Sequence, residues 1–323
     1  MAPGEVTVLM PHRNHGGFLP QALANILGQT APANRIIIVD DASDDGSREV
    51  LRSLGLEEPR LKVLYNDQHL GVAKSVNRGL DQVDTEFLLL ASADDRIMPH
   101  MIETLRPILA SRSDAPFCAS AYAEFNGDAG SDDSVGVRVH GPESDLGPWF
   151  VNAANAYVSP DAFRQFLRRR FVWLSATTCL FRTRAFRQIG AYHPELRWHA
   201  DWLAIYALAF RYGFFYSTRT CAEFRVSPSG YSAGMRSPTE QSAVVEAIFD
   251  RLAQPDMADV RAAIKRSPGA LAPFIRRSIL TGLKQPRDYG FLGPMLLWWS
   301  RQYARRVRRR AAREMHRWSW HRC

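Results

Sequence analysis

Two pairs of adjacent aspartates carry the chemistry this chain advertises: Asp40 with Asp41 in "RIIIVDDASDDGS", and Asp94 with Asp95 in "FLLLASADDRIMP". Each pair ends a short apolar run. Four carboxylates gathered at one rim would raise one another's pKa unless a cation relieves them. A divalent ion does this economically, and hard oxygen ligands with an incomplete protein shell suit Mg2+ or Mn2+ bridging a phosphate-bearing substrate. The competing reading is that these residues cap helices and form turns, a common use of Asp; Asp44 and Asp45 are read that way.

The surrounding pattern explains how such residues could meet. Val6 to Met10, "RIIIVDD", "LKVLY" and "FLLLA" read as four strands, and helical spacing falls between them at Phe18 to Gln29, from Ser47 to Leu54, and along "GVAKSVNRGLDQV". Continuous β-branched or leucine strands separated by helices imply an α/β fold with a mostly parallel sheet, covered on both faces. Ligands of such sheets bind beyond the carboxyl ends of the strands, where "PHRNHGG", "DDASDDGS" and "SADD" would converge. From about Ser111 the pattern changes. "APFCASAYAEFNGDAGSDDSVGVRV" reads as a hairpin, Pro160 to Arg170 as a short helix after Ser159, and "HADWLAIYALAFRYGFFYS" as a helix with Trp202, Ile205, Tyr206, Ala209 and Phe210 on its apolar face. After Ser237 the chain reads as helical with Pro and Gly breaks.

With 323 residues, 46% apolar and 23% charged, the chain has the composition of an ordinary globular protein. Lys plus Arg is 41 and Asp plus Glu 33, a net +8, yet nine Arg and one Glu lie from Arg301 onward, so the body before the tail is formally neutral. That distribution argues against a nucleic-acid groove across the fold. Cys118, Cys179, Cys221 and Cys323 show no metal or disulfide spacing, which suits reduced thiols in a cytosolic setting. No secretory signal is expected at the N-terminus, and no run approaches the ~18 apolar residues of a membrane span.

Several motifs in order resemble the inverting family 2 glycosyltransferases, which have the nucleotide-sugar-binding GT-A fold. "VTVLMPHRNHGGFLPQALANILGQT" resembles that family's strand, P-x-x-N loop and helix; "IIIVDDASDDGS" its V-D-D-x-S-x-D-G-[ST] element; "LGVAKSVNRGL" its G-x-x-x-x-x-N-x-G helix; and "FLLLASADD" its D-x-D-D strand end. The resemblance runs to about residue 235. It implies a Rossmann-like GT-A domain with a C-terminal helical extension: residues 1–110 as the nucleotide-sugar-binding half, 111–235 as the acceptor and catalytic-base half, and 236–323 as helices ending in a basic tail. It also implies a sugar transfer from a nucleotide-diphosphate sugar to a hydroxyl of a glycan or lipid-linked acceptor, with inversion, as in polysaccharide biosynthesis.

By the same resemblance the donor site would take in Pro11, Arg13, Asn14, Asp40, Asp41, Gly71 and Lys74, with Ser92, Ala93, Asp94 and Asp95. Asp40 would read the base or ribose with Asp41 beside it, and Asp94 would hold Mn2+ or Mg2+ against the diphosphate. Lys74 is a phosphate or base contact or else a solvated lysine, and Asn77 ties its helix to the strand loops. Asp201 in "RWHADWL" matches the catalytic base, with His199 as a fallback. At a helix N-terminus its charged form would be favoured. Two positions depart from the family: Ser92 stands where an Asp is common and adds no charge, and Ala200 stands where a Glu often precedes the base. Arg225 matches a position after the last core strand, and Trp198 and Trp202 could stack on a sugar or pack in the core.

Two other functions stay open: a sugar-nucleotide-binding scaffold without catalysis, motivated by Ser92 and Ala200, and a nucleotidyltransferase, for which "PHRNHGGFLP" is a poor phosphate loop. In the tail, Trp299, Tyr303, Val307, Ala311 and Met315 fall four apart among arginines. An anionic membrane surface suits such a helix, which would place the protein at the cytoplasmic side of a membrane. Nucleic acid, or packing of the stripe against the domain, are the alternatives.

Overall fold

The four apolar runs become strands and the periodic segments between them become helices. The computed structural model describes residues 2–126, 135–140, 155–226 and 237–320. The elements that build the site come first: β1 (Ala2–His12), α1 (Leu19–Leu27), β2 (Arg35–Asp40), α2 (Ser47–Glu57), β3 (Leu61–Tyr65), α3 (Val72–Leu80) and β4 (Thr85–Leu90). They are followed by β5 (Arg96–Ile97), α4 (Met101–Ala110), β6 (Phe117–Asn126), β7 (Val135–His140), β8 (Asn155–Val158), α5 (Pro160–Leu167), β9 (Cys179–Arg182), α6 (Thr183–Gln188), α7 (Ala200–Tyr212) and β10 (Phe214–Arg225). Helices α8 (Pro238–Leu252), α9 (Ala258–Arg266), α10 (Ile275–Lys284) and α11 (Leu292–Trp320) complete the chain.

The strands form one mixed sheet in the order β3-β2-β1-β4-β9-β6-β10-β5, with β7 on β6 and β8 on β10. The β3-β2-β1-β4 half is wholly parallel, as the helical crossovers require. The remainder is mixed: β9 runs against both β4 and β6, while β10 is parallel to β6. Two reversals restore direction, so β1, β2, β4, β6 and β10 all end at the same edge and β9 starts there. The expected hairpin is present as antiparallel β6 and β7, whose connection lies outside the described residues. Among the described residues no helix is long and apolar enough to cross a membrane.

Apolar residues cover both faces of the parallel half. Val6, Val8 and Met10 pack with α1 and α4 on one side, while Leu9, Ile37 and Val39 pack with α3 on the other, in a core that runs on to the C-terminal helices. Alternate side chains of a strand point to opposite faces, so both sets are buried and the run reads as continuous apolar sequence.

Gly79 is what lets α3 lie close to the sheet. A Cβ there would come 2.3 Å from Leu9 Cδ1 and 3.0 Å from Val39 Cγ2. Gly55, on exposed α2, has only Val63 Cγ2 at 4.0 Å. Gly79→Ala is therefore expected to lose about 1–2 kcal/mol in urea denaturation through overpacking, whereas Gly55→Ala gains up to about 1 kcal/mol from helix propensity. Equal midpoints for the two variants would overturn this account.

Candidate active site

A cavity of about 720 Å3 opens at the shared carboxyl edge of the sheet, within the range that holds small ligands. It is lined by Pro11, His12 and Arg13 at the end of β1, Asp41 after β2, Ser92 to Asp95 after β4, Ser175 to Thr177 before β9, and Arg197 to Trp202 at the start of α7. Asp41, Asp94 and Asp201, distant in sequence, thus face one space.

Asp41 accepts four hydrogen bonds. Its Oδ1 takes the Asn66 Nδ2 at 2.7 Å and the Leu70 N–H at 2.8 Å; its Oδ2 takes the Gly71 N–H at 2.7 Å and lies 2.8 Å from His69 Nδ1. Burial raises its pKa, but the Leu70, Asn66 and Gly71 donors and His69 together outweigh it and leave the carboxyl below its usual range. Gly71 has φ +89°, a conformation open to glycine at little cost, and this aims its N–H at Asp41. Asp40 is set back from the cavity. It is fully buried, with Oδ2 held by Arg48 Nε at 2.6 Å and by the Ser43 N–H at 3.3 Å, while Oδ1 has no partner among the described residues. Of the pair, Asp41 faces the cavity and Asp40 anchors the strand end.

The second acidic turn is clamped by Arg225. Its backbone N–H donates to Asp95 Oδ1 at 3.1 Å, its Nε to the Asp94 carbonyl at 2.9 Å and its guanidinium to Gln21 Oε1 at 3.1 Å. The guanidinium lies between Phe18 and Phe125, 4.6 and 4.5 Å from the ring centroids. Arg225 is a buried strut and not a surface arginine. Burial first, and then the Asp94 charge, push Asp95 well above the usual carboxylate range, against the opposing Arg225 and Thr177 contacts. The Ser92 hydroxyl donates to Asp94 Oδ1.

Asp201 sits in the first turn of α7. Its Oδ1 accepts the Trp202 N–H at 2.7 Å, and the Ala176 N–H and Ser175 hydroxyl also donate to it. The helix terminus does not win here: burial raises the carboxyl to about 6, and these donors offset only part of the shift. Burial holds His199 down to about 4, opposed by Gln241, whose amide nitrogen is 2.9 Å from the ring Nε2. Gln241 also accepts from Trp198 Nε1 at 2.7 Å, so α8 braces this wall. Arg197 adopts φ 44°, ψ −121°, a strained conformation costing on the order of 1–3 kcal/mol in a non-glycine residue.

Three other expected site residues do not line the cavity. Lys74 is on the exposed face of α3, which presents Val72, Ala73, Ser75 and Val76 instead. Asn14 pairs with Asp44, its Nδ2 2.8 Å from Asp44 Oδ1 and its Oδ1 3.0 Å from the Asp44 N–H, and so ties two loops together. Gly71 acts through Asp41. Asn77 bridges α3 to the loop before α7 through both the carbonyl and the N–H of Tyr192. Trp202 packs on Tyr206 and Phe274 at the base of the cavity. Sequence reasoning missed His69, Asn66, Ser175 and Gln241. Only His69, in "NDQHLG" just before Gly71, offered any local signal.

The donor set around Asp94 also bears on metal binding. Among the described residues no cluster of three or more His, Cys, Asp or Glu could cage an ion. One carboxylate oriented by Ser92 and open to the cavity fits a hard cation that takes its other ligands from substrate phosphates and water.

The family model for glycosyl transferase family 2 matches residues 7–190, more than half of the chain. The chain belongs to glycosyl transferase family 2. The family match takes in the Asp41 and Asp94 turns; Asp201 lies beyond it. Among curated relatives, glycosyltransferase GlyG of Streptococcus pneumoniae is 33% identical over 100 residues, 31% of this chain and 33% of GlyG. The GalNAc(5)-diNAcBac-PP-undecaprenol beta-1,3-glucosyltransferase of Campylobacter jejuni is 29% identical over 102 residues, 31% of this chain and 33% of that one. The chain thus spans about a third of the length of these relatives. Residues 1–349 of S. aureus TarS superpose with a TM-score of 0.60 at 16% identity, covering 91% of this chain and 80% of that one; that protein has also been solved with UDP-GlcNAc. A mannosyltransferase from Pyrobaculum calidifontis, solved with GDP-Man and Mn2+, gives 0.54 at 16% identity over 93% of this chain and 75% of its own. At such identities these two similarities establish the shared fold, a GT-A-like α/β sheet with C-terminal helices.

Proposed function

We propose that this family 2 member is a metal-dependent inverting glycosyltransferase, moving a sugar from a nucleotide-diphosphate sugar to a hydroxyl of a glycan or lipid-linked acceptor. The observation that carries the reading is the convergence of Asp41, Asp94 and Asp201 on one cavity, with the Asp201 carboxyl raised by burial to about 6. The nucleotide sugars bound by the TarS and Pyrobaculum proteins support the donor class, and the undecaprenol-linked substrate named for the Campylobacter relative supports the acceptor class. A lipid-linked acceptor would bring the work to the cytoplasmic face of a membrane.

In this mechanism the nucleotide lies along the edge formed by Pro11, Arg13 and Asp41. His12, buried behind the cavity wall, has no partner for either ring nitrogen among the described residues. The acceptor enters on the side of Trp198 and Asp201. Its hydroxyl oxygen attacks the anomeric carbon, Asp201 takes the hydroxyl proton, and the bond from that carbon to the diphosphate oxygen breaks on the opposite side, which inverts the centre. Asp94 would hold a divalent cation, which would supply neutralising charge for the departing diphosphate. Arg225 keeps the Asp94 turn in place, and the cavity walls limit both substrates to an in-line approach.

The test is a screen of nucleotide sugars for Mn2+-dependent hydrolysis, with Mn2+ affinity in the presence of nucleoside diphosphate measured separately by titration calorimetry. Asp94→Ala is expected to weaken the ion at least tenfold and to slow hydrolysis about a hundredfold. Unchanged Mn2+ affinity would remove Asp94 from the metal role.

A further inference from the structure

The last two helices leave a large apolar face uncovered. Helix α11 packs on the body through Met295 and Trp298, both buried, with Phe291 buried just before its start. Its other side carries Leu296, Trp299, Tyr303 and Val307, at 46%, 39%, 64% and 51% exposure. Trp299, Tyr303 and Val307 of the tail stripe are therefore not on the face that packs on the domain; the side chains of Ala311 and Met315 lie outside the described residues. Leu280 and Leu283, 61% and 55% exposed, project from α10, one and two turns after Arg276. The Arg276 guanidinium lies 5.9 Å from the Trp299 ring centroid, which joins the two rows into one surface. Monomers rarely expose contiguous apolar patches beyond on the order of a few hundred Å2 without a partner.

We propose that α10 and α11 together form a platform that docks on an anionic lipid bilayer. Charge complementarity chooses the occupant. Arg276 lies beside Trp299 in the apolar rows, Arg301 and Arg308 are exposed on the polar side of α11, where Arg305 reaches back to the Arg169 carbonyl at 3.1 Å, and nine arginines follow from position 301 in all. Leu and aromatic side chains sink into the headgroup boundary while arginines pair with anionic lipid. A second copy of the chain would set one arginine-rich helix against another. Nucleic acid would engage the arginines and leave the leucines and aromatics exposed. The placement also suits the active site: Phe274, which lines the cavity, immediately precedes α10, and α10 is ten residues long, about 15 Å. The inference deepens the proposed lipid-linked acceptor class and is tested apart from it.

The test is sedimentation of the full chain with vesicles of phosphatidylcholine alone, or mixed with phosphatidylglycerol, in moderate salt. The wild type is expected to bind the anionic vesicles at least tenfold more tightly than the neutral ones. Leu280→Gln combined with Leu283→Gln, which leaves the arginine-rich helix intact, is expected to weaken that binding at least tenfold, with circular dichroism and vesicle-free donor hydrolysis unchanged. Equal binding to both vesicle types, undiminished binding by the leucine variant, or a wild-type dimer in vesicle-free solution that the variant dissolves would each overturn the proposal. Vesicle binding without hydrolysis of any nucleotide sugar would count against the transferase reading and leave the platform standing.

Discussion

Asp201→Asn is expected to slow sugar transfer about a thousandfold, within the range for removal of a general base, while donor affinity changes less than about threefold. Asn fills the same space and still accepts the Trp202 N–H, but it cannot take a proton. For the wild type, kcat/KM should fall tenfold per pH unit below about 6, where the carboxyl protonates, and level off above it. Stability should move the other way. The folded pKa is raised from 3.8 to about 6, so this group's favourable contribution is complete below the unfolded value and is lost as pH rises through about 6. At neutral pH the ionised, buried carboxylate is therefore destabilising. Between pH 4 and pH 7.5 the stability of the Asn variant relative to wild type should rise by about 1–3 kcal/mol, on top of whatever constant amount its amide loses against the Ala176 N–H and Ser175 hydroxyl. Thermal melts at the two pH values and single-turnover transfer assays check both halves. A variant that transfers sugar at the wild-type rate would refute the base assignment.

Asp41→Asn should have the opposite effect on stability. The new amide would point N–H groups at donors, against either the Asn66 and Leu70 pair or the Gly71 N–H and His69. Unsatisfied buried donors of this kind cost about 3 kcal/mol in total. Because the Asp41 pKa is lowered in the fold, its stabilisation is present above the unfolded value of 3.8 and is lost as pH falls through the folded value. The gap between wild type and variant should thus be full at pH 7 and close in acid, as read from urea midpoints at each pH. Since Gly71 and Leu70 lead into α3, which walls the cavity, donor affinity should fall with stability, by at least tenfold. A variant as stable as wild type at pH 7 would show that the four bonds contribute nothing net.

Much of the donor side was legible in the sequence because it is local. Each parallel strand reads as an apolar run, each helix as a period, and the acids follow directly where the runs stop; topology then puts those stops on one edge. Asp40 and Asp41 show where that legibility ends. Adjacent residues in extended chain point opposite ways, so only one could face the cavity, and the side was fixed by Arg48 and by the Gly71 loop, which are 8 to 30 residues away from the aspartates they bind. Lys74 is a similar case. The α3 periodicity marks Ala73 and Val76 as inward, and Lys74 falls on the outer face by the same count. The sequence left the setting of Arg225 open because its partners, Gln21, Asp94 and the two phenylalanine rings, come from three distant segments.

The sequence by itself determined the α/β architecture, the gathering of the acidic turns and the amphipathic character of the tail, since each depends on residue type and short spacing. Only the tertiary structure decided the protonation of Asp201, the buried role of Arg225 and which face of α11 is left uncovered. Burial and long-range hydrogen bonding set those properties, and both are sums over neighbours that chain order does not reveal.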